Sequence, residues 1–260
     1  RLRCDWSSDV CSSDLIVTDH GWESIDLKCA ILEPIGAEVL EAQCQDEDQL
    51  IEACRDVDYI ITTYAPLSAR VISTLQRCRV ISRYGIGVDN IDLKAAREAG
   101  IPVCNVPDYC IDEVADHALA LLRALTLKVV SGNQVVRDGK WEPPGTKGDI
   151  KVLREHSVGL IGFGRIGTAV AARLQAFKCP LLVHDPFVSD EVIEAGGAQS
   201  VSFDELLEQS DIVSLHCPSD DTTRGMMDAD SLGKMRQGAL LVNVSRGDLK
   251  IGRASCRERV

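Results

Sequence analysis

The sequence predicts an α/β protein of two doubly wound domains, and three observations carry that expectation. Short apolar runs alternate with helix-forming stretches along most of the chain, the pattern of parallel strands joined by crossover helices. Several runs are continuous rather than alternating, such as YIITT at 59–63 and IVSL at 212–215, as suits strands covered on both faces. One glycine-rich turn, GFGRIG at 162–167, stands between such a run and a helix. A chain of 260 residues is long enough for two domains of ordinary size.

In the first half, strands are expected at 15–18, 37–40, 59–63, 80–82 and 101–104. Helices are expected at 24–32, 47–54, 68–75 and 93–99, the last ended by Gly100. The turn SRYGIGVDNID at 82–92 places Gly85 and Gly87 around one apolar residue after a strand. Small residues there let backbone N–H groups face a cleft, which suits a carboxylate. They equally suit an ordinary strand-to-helix turn whose glycines only relieve φ. From Ile111, the stretch IDEVADHALALLRALTLKVVSGNQVVRDG reads as one long helix able to bridge two domains, with apolar positions Val114, Ala118, Leu121, Leu122 and Leu125. His117 on it reads as a packed or solvated helix residue rather than a base, and WEPPGTKG at 141–148 as a turn-rich link.

The second half opens with a strand at 157–161, followed by G-x-G-x-x-G at Gly162, Phe163, Gly164, Arg165, Ile166 and Gly167. The first glycine permits a tight turn, the second lets a pyrophosphate approach the backbone, and the third lets helix and strand lie close. The helix follows with apolar Ile166, Val170, Leu174 and Phe177, its N-terminal N–H groups free to face phosphate. After a strand at 180–184 comes Asp185, 18 residues past Gly167, where an acid can accept both ribose hydroxyls. The whole unit is the βαβ fingerprint of a Rossmann domain, and the acid favours NAD over NADP, whose 2'-phosphate would meet a carboxylate. Further elements are expected at 191–195, 199–201, 203–208, 212–215, 228–235 and 239–243. His216, Cys217 and Pro218 follow one strand, and Val244, Ser245, Arg246 and Gly247 another, at the C-terminal ends where open α/β sheets bind ligands.

Composition narrows the partners. A net charge of −12 argues against a nucleic-acid surface, and no run of 18 apolar residues suggests a membrane span. The cysteines at 29, 44, 54, 78, 104, 110, 179 and 217 form no C-x-x-C pair, so free thiols in a reducing cytoplasm are expected, with no metal site and no disulfide framework. Residues 1–15 (RLRCDWSSDVCSSDL) and 251–260 (IGRASCRERV) resemble the two orientations of a translated sequencing adapter and are set aside as artefacts. The expected domains are then 16–106 and 107–250.

The segments SRYGIGVDNIDLKAAREAGIPVCNVPDYCIDEVADHALALL, SDIVSLHCPSDDTTRGMM and KMRQGALLVNVSRG, in this order around the fingerprint, resemble the D-2-hydroxyacid dehydrogenases, particularly the branch containing the C-terminal-binding proteins. The resemblance covers nearly all of 15–249. It implies a flavodoxin-like substrate domain before a Rossmann NAD-binding domain, and a dimer formed through the latter. It implies that Gly85, Ile86 and Gly87 hold the carboxylate of a small 2-hydroxy or 2-oxo acid. Gly162 to Gly167 would cradle the pyrophosphate, with Asp185 on the adenosine ribose. Val114, Cys217 through Thr223 with His216 and Pro218, and Val244 with Ser245 would surround the nicotinamide half. Arg246 would be the catalytic arginine, its charged fork polarising the reacting carbonyl. The family's base is a histidine paired with a glutamate, both well downstream of that arginine. His20, His117, His156, His184 and His216 all precede Arg246, so the chain is expected to be C-terminally truncated, without its base, and dead or nearly so in hydride transfer. An NAD-sensing interaction protein without turnover, of corepressor type, is the alternative that the resemblance allows.

Overall fold

The computed structural model describes residues 13–141, 150 and 152–250. Most of the 141–148 link and both adapter-like ends, except Ser13 to Leu15, lie outside the described residues. The chain divides into two compact units, one ending at Tyr109 and the other beginning at Cys110.

The first unit runs β1 (Ser13–Val17), α1 (Asp26–Leu32), β2 (Ala37–Glu41), α2 (Glu47–Cys54), β3 (Tyr59–Thr62), α3 (Ala69–Ile72), β4 (Val80–Arg83), α4 (Leu93–Glu98) and β5 (Val103–Cys104). All pairings are parallel and the strand order is β2-β1-β3-β4-β5, the flavodoxin-like order. Both faces are covered, which is why the strands read as continuous apolar runs. Ile16, Ile60 and Ile81 pack with Leu50, Leu67, Val71 and Ile72 on one side, and Leu15 and Val17 with Ile25 on the other.

Several boundaries differ from expectation, among them the starts of α1 and β5 by two residues, and two of the differences have plain local reasons. β1 begins at Ser13 because Ser13 and Asp14 pair with Ala37 and Glu38, and a backbone ladder accepts any side chain. α3 stops at Ile72 because the hydroxyls of Ser73 and Thr74 turn back to the carbonyls of Arg70 and Val71.

The second unit runs α5 (Ile111–Thr126), α6 (Val129–Arg137), β6 (Val158–Ile161), α7 (Arg165–Gln175), β7 (Leu181–His184), α8 (Asp190–Ala195), β8 (Gln199–Ser200), α9 (Phe203–Gln209), β9 (Ile212–Leu215), α10 (Ala229–Lys234) and β10 (Leu240–Asn243). The order β10-β9-β6-β7-β8 is again all parallel, and β6, central and wholly buried, delivers the chain into the glycine turn.

The single helix expected from Ile111 is two. Thr126 bonds back to the Arg123 carbonyl, and Lys128 takes a left-handed conformation at φ 53° before β-branched Val129 and Val130. The buried face of α5 is Ala115, Ala118, Leu122 and Thr126; of the expected stripe, Leu121 and Leu125 face outward. On α7 the buried face is Gly167, Val170, Ala171 and Leu174, and Ile166 packs against the same core. Phe177 falls beyond the helix end, exposed, with the Arg123 guanidinium 5.4 Å from its ring centroid.

Candidate functional site

In the first unit, Gly85, Ile86 and Gly87 follow β4 at the C-terminal edge of the sheet, where such folds bind ligands. Gly85 has φ +148°, a conformation that favours glycine, and the Arg83 guanidinium lies beside it where a Cβ would stand. The loop is tied down from behind: the Val106 N–H donates to the Gly85 carbonyl at 3.0 Å and Asn105 Nδ2 to the Ile86 carbonyl at 2.6 Å. The N–H groups of Ile86 and Gly87 find no acceptor among the described residues, which leaves two adjacent donors available to an anion.

The same edge is braced by a residue absent from the sequence expectations. Asp19 is buried past the end of β1 and accepts from the backbone N–H groups of Thr63 and Tyr64 at 3.0 and 2.6 Å and from the hydroxyls of Thr18 and Thr62. Burial alone would raise its carboxyl, but these hydrogen bonds outweigh burial and hold it below the usual value. An acid directly after an apolar strand was the available signal.

In the second unit, the three fingerprint glycines separate by surroundings. Gly162 has φ +96°, and a Cβ there would lie 2.8 Å from the backbone of His216 and Cys217. A Cβ on Gly167 would collide with the Gly162 carbonyl oxygen. Gly164, the N-cap of α7, has nothing within 4 Å of where its Cβ would stand. No side chain caps this helix, and the N–H groups of Gly164, Arg165 and Ile166 have no acceptor among the described residues. Open space, a bare helix N-terminus and unsatisfied donors are what a pyrophosphate needs. Asp185 is fixed beside them: Oδ2 accepts the Phe163 N–H at 2.7 Å and Oδ1 the Phe187 N–H at 2.9 Å, and each oxygen keeps capacity for a ribose hydroxyl.

The remaining positions gather at the ends of β9 and β10. His216 stands 2.9 Å from the Ser214 hydroxyl through Nε2, and its buried Nδ1 has no partner among the described residues. Burial pushes the imidazole down to about 4, so the ring is neutral near pH 7. Burial likewise pushes the Cys217 thiol up to about 11, and its Sγ lies 3.7 Å from Met226 Sδ. Neither is poised as base or nucleophile. Thr223 donates to the Pro218 carbonyl at 2.7 Å, while Asp220 Oδ1 takes the N–H groups of Thr222 and Thr223 and folds the loop between.

Val244 packs against the core, and Ser245 Oγ donates to the Leu215 carbonyl at 2.9 Å, joining the ends of β9 and β10. Arg246 is half-buried, and its Nη1 donates to the Ser245 carbonyl at 3.2 Å. Asn243 organises both neighbours: Oδ1 accepts the Ser245 N–H at 2.9 Å and Nδ2 donates to the Arg246 carbonyl at 2.7 Å. This Asx-type closure was legible as an Asn two residues before the Ser-Arg pair and was missed. Val114 lies in the first turn of α5, half-buried. His117 is exposed on the same helix.

Residues 119–252 match the family model described as D-isomer specific 2-hydroxyacid dehydrogenase, NAD binding domain. D-3-phosphoglycerate dehydrogenase from Archaeoglobus fulgidus is 34% identical over 235 residues, which cover 86% of this chain and 44% of that protein. Glyoxylate reductase from Korarchaeum cryptofilum is 36% identical over 203 residues, 76% of this chain and 60% of that protein. The chain thus spans less than half the length of the first of these relatives. Among solved structures, D-lactate dehydrogenase from Aquifex aeolicus, complexed with NAD and lactic acid, superposes with a TM-score of 0.85 at 26% identity, covering 94% of this chain and 74% of that one.

Proposed function

The chain belongs to the D-isomer-specific 2-hydroxyacid dehydrogenase family, with an NAD-binding domain over residues 119–252, and from that premise we propose that it serves the NAD-dependent interconversion of a D-2-hydroxy acid and a 2-oxo acid. The observation that carries the proposal is the open N-terminus of α7 at Gly164, with Asp185 locked beside it by the Phe163 N–H. Bound NAD supplies the hydride acceptor. The protein's own groups bind and orient: the N–H groups of Gly164 to Ile166 hold the pyrophosphate, Asp185 the adenosine ribose, and the His216 to Thr223 loop with Val114, Val244 and Ser245 the nicotinamide half. Ile86 and Gly87 donate to the substrate carboxylate from the loop that Gly85 shapes. Arg246, oriented through Asn243, polarises the reacting carbonyl.

Removing the alcohol proton needs a base, and the family resemblance gives that role to a histidine paired with a glutamate. His216 is the tempting substitute, but its buried neutral ring is tied to Ser214. Titration of the protein with NADH, followed by a watch on NADH oxidation with glyoxylate, hydroxypyruvate or pyruvate, tests the proposal. Steady NADH oxidation dependent on a 2-oxo acid would support it, and failure to bind NADH would refute it.

Four narrower readings accompany this. The quoted motifs favour the branch containing the C-terminal-binding proteins. A homodimer through the second unit is supported by exposed Leu121, Leu125, Leu127, Val129 and Val130 on and beside α5 and α6, an apolar surface a second copy would cover; light scattering at micromolar concentration tests it. The free cysteines among the described residues suit a cytoplasmic location, and no helix among those residues is long and apolar enough to cross a membrane. The adapter reading of 1–15 and 251–260 rests on their sequence, even though Ser13 and Asp14 extend β1.

A further inference from the structure

A cluster at the C-terminal edge of the first sheet has no part in the reading above. Trp22, shortly after β1, and Tyr84, the residue before Gly85, meet edge to face with ring centroids 5.4 Å apart. Lys28 of α1 reaches over both, its Nζ 4.3 Å from the Trp22 ring and 5.2 Å from the Tyr84 ring. Both rings are exposed, while Lys28 is half-buried. An ammonium held on two ring faces has exchanged part of its water for π-electron density and still seeks an anion. No carboxylate pairs with it among the described residues. The acids at the neighbouring strand ends are committed: Glu41 to His20 Nε2 at 2.7 Å, and Asp19 to the N–H groups of Thr63 and Tyr64. A second cation, Arg83, lies against Gly85 with its Nε buried and without a partner among the described residues.

We propose that Lys28, presented by Trp22 and Tyr84, is a subsite for an anionic group at the end of the substrate remote from its C1 carboxylate. The substrate class is then a 2-hydroxy or 2-oxo acid carrying a second carboxylate or a phosphate. The inference rests on reading Gly85 to Gly87 as the carboxylate loop, since Tyr84 joins that loop directly to the cluster. Its backbone is fixed there by donation of the Tyr84 N–H to the Thr62 carbonyl at 2.8 Å. An aromatic-backed lysine selects charge without demanding one geometry, so both anions share the chemistry.

The test titrates the 260-residue protein with D-lactate, D-glycerate, D-malate and D-3-phosphoglycerate, with and without NAD+, by calorimetry and indole emission in parallel. The two dianionic acids should bind about five- to tenfold more tightly than the two monoanions, as one partly exposed charge contact allows. Whichever of malate and phosphoglycerate is tighter identifies carboxylate or phosphate as the preferred anion. Lys28→Met should erase the preference and Lys28→Arg retain it, and Trp22→Phe should remove the emission change. Equal binding of all four acids, binding of none, or a preference that survives Lys28→Met overturns the proposal. NAD+ affinity, measured in the same series, reports separately on the dinucleotide reading.

Discussion

The three fingerprint glycines should fail in different ways when each is given one methyl group. At Gly164 the backbone (φ −76°, ψ −160°) is open to any L residue, and a Cβ meets nothing within 4 Å. Gly164→Ala should therefore leave the fold intact: the gain from restricting the unfolded chain, roughly 0.4–1 kcal/mol, is offset by alanine being a poorer N-cap than glycine. The methyl occupies the approach reserved for pyrophosphate, and displacing that contact by even a fraction of an ångström should weaken NADH binding about ten- to a hundredfold, or ~1.4–2.8 kcal/mol. Gly167→Ala is the converse. Its Cβ runs into the Gly162 carbonyl oxygen, a backbone atom that cannot swing aside, so overpacking of roughly 1–3 kcal/mol is expected. At about 2–4 °C per kcal/mol, the melting temperature of that variant should fall by roughly 2–12 °C. Gly162→Ala combines a positive φ with a clash on the His216–Cys217 backbone and should be at least as damaging. Fluorescence titration with NADH and a thermal melt on each variant decide the matter. Wild-type affinity in Gly164→Ala, or a wild-type melt in Gly167→Ala, would show that the turn is not used as described.

Three further outcomes follow from the hydrogen-bond networks. Asp19 has a folded-state carboxyl below its usual value, so its contribution is full above pH ~3.9 and disappears as pH falls through the folded value. Asp19→Ala should cost roughly 2–4 kcal/mol at pH 7, and the difference from wild type should shrink toward pH 2; a pH-independent difference in urea melts would contradict this. The His216 imidazole, pushed down to about 4, should not titrate between pH 5 and 8 in NMR, and a midpoint near 6.5 would show that it is solvated. Asn243→Ala strands the Ser245 N–H and leaves the Arg246 carbonyl only the Leu249 N–H at 3.4 Å, and should lower stability by about 1–2 kcal/mol, whereas Asn243→Asp, which keeps the acceptor, should lose less; equal losses would deny the Ser245 bond its role.

The features legible in the sequence are those that local physics dictates. Buried parallel strands announce themselves as continuous apolar runs, so β3, β6 and β9 were placed within a residue or so. The fingerprint was legible because glycine spacing, strand, helix and acid must agree together. Positions where one side chain competes with its own backbone were not: Thr126 and Lys128 break the helix, and Ser73 and Thr74 end α3, through bonds that no hydrophobic period encodes. Asp19 was missed because it acts through backbone groups brought close only by the fold, across 44 and 45 residues to Thr63 and Tyr64, whereas the Asn243 closure is local and its Asn-x-Ser-Arg spacing was passed over. The Trp22, Lys28 and Tyr84 cluster likewise joins β1, α1 and β4, whose adjacency depends on strand order.

The central claim is that the turn at Gly162 to Gly167, with Asp185, binds NAD in preference to NADP. Parallel titration with NADH and NADPH tests it most directly. Asp185 is locked facing the loop by Phe163, so a 2'-phosphate would be set against a fixed carboxylate; NADH should bind at least about tenfold more tightly, and Asp185→Ser should narrow the gap. NADPH binding as tightly as NADH, or failure of both to bind, would contradict the account.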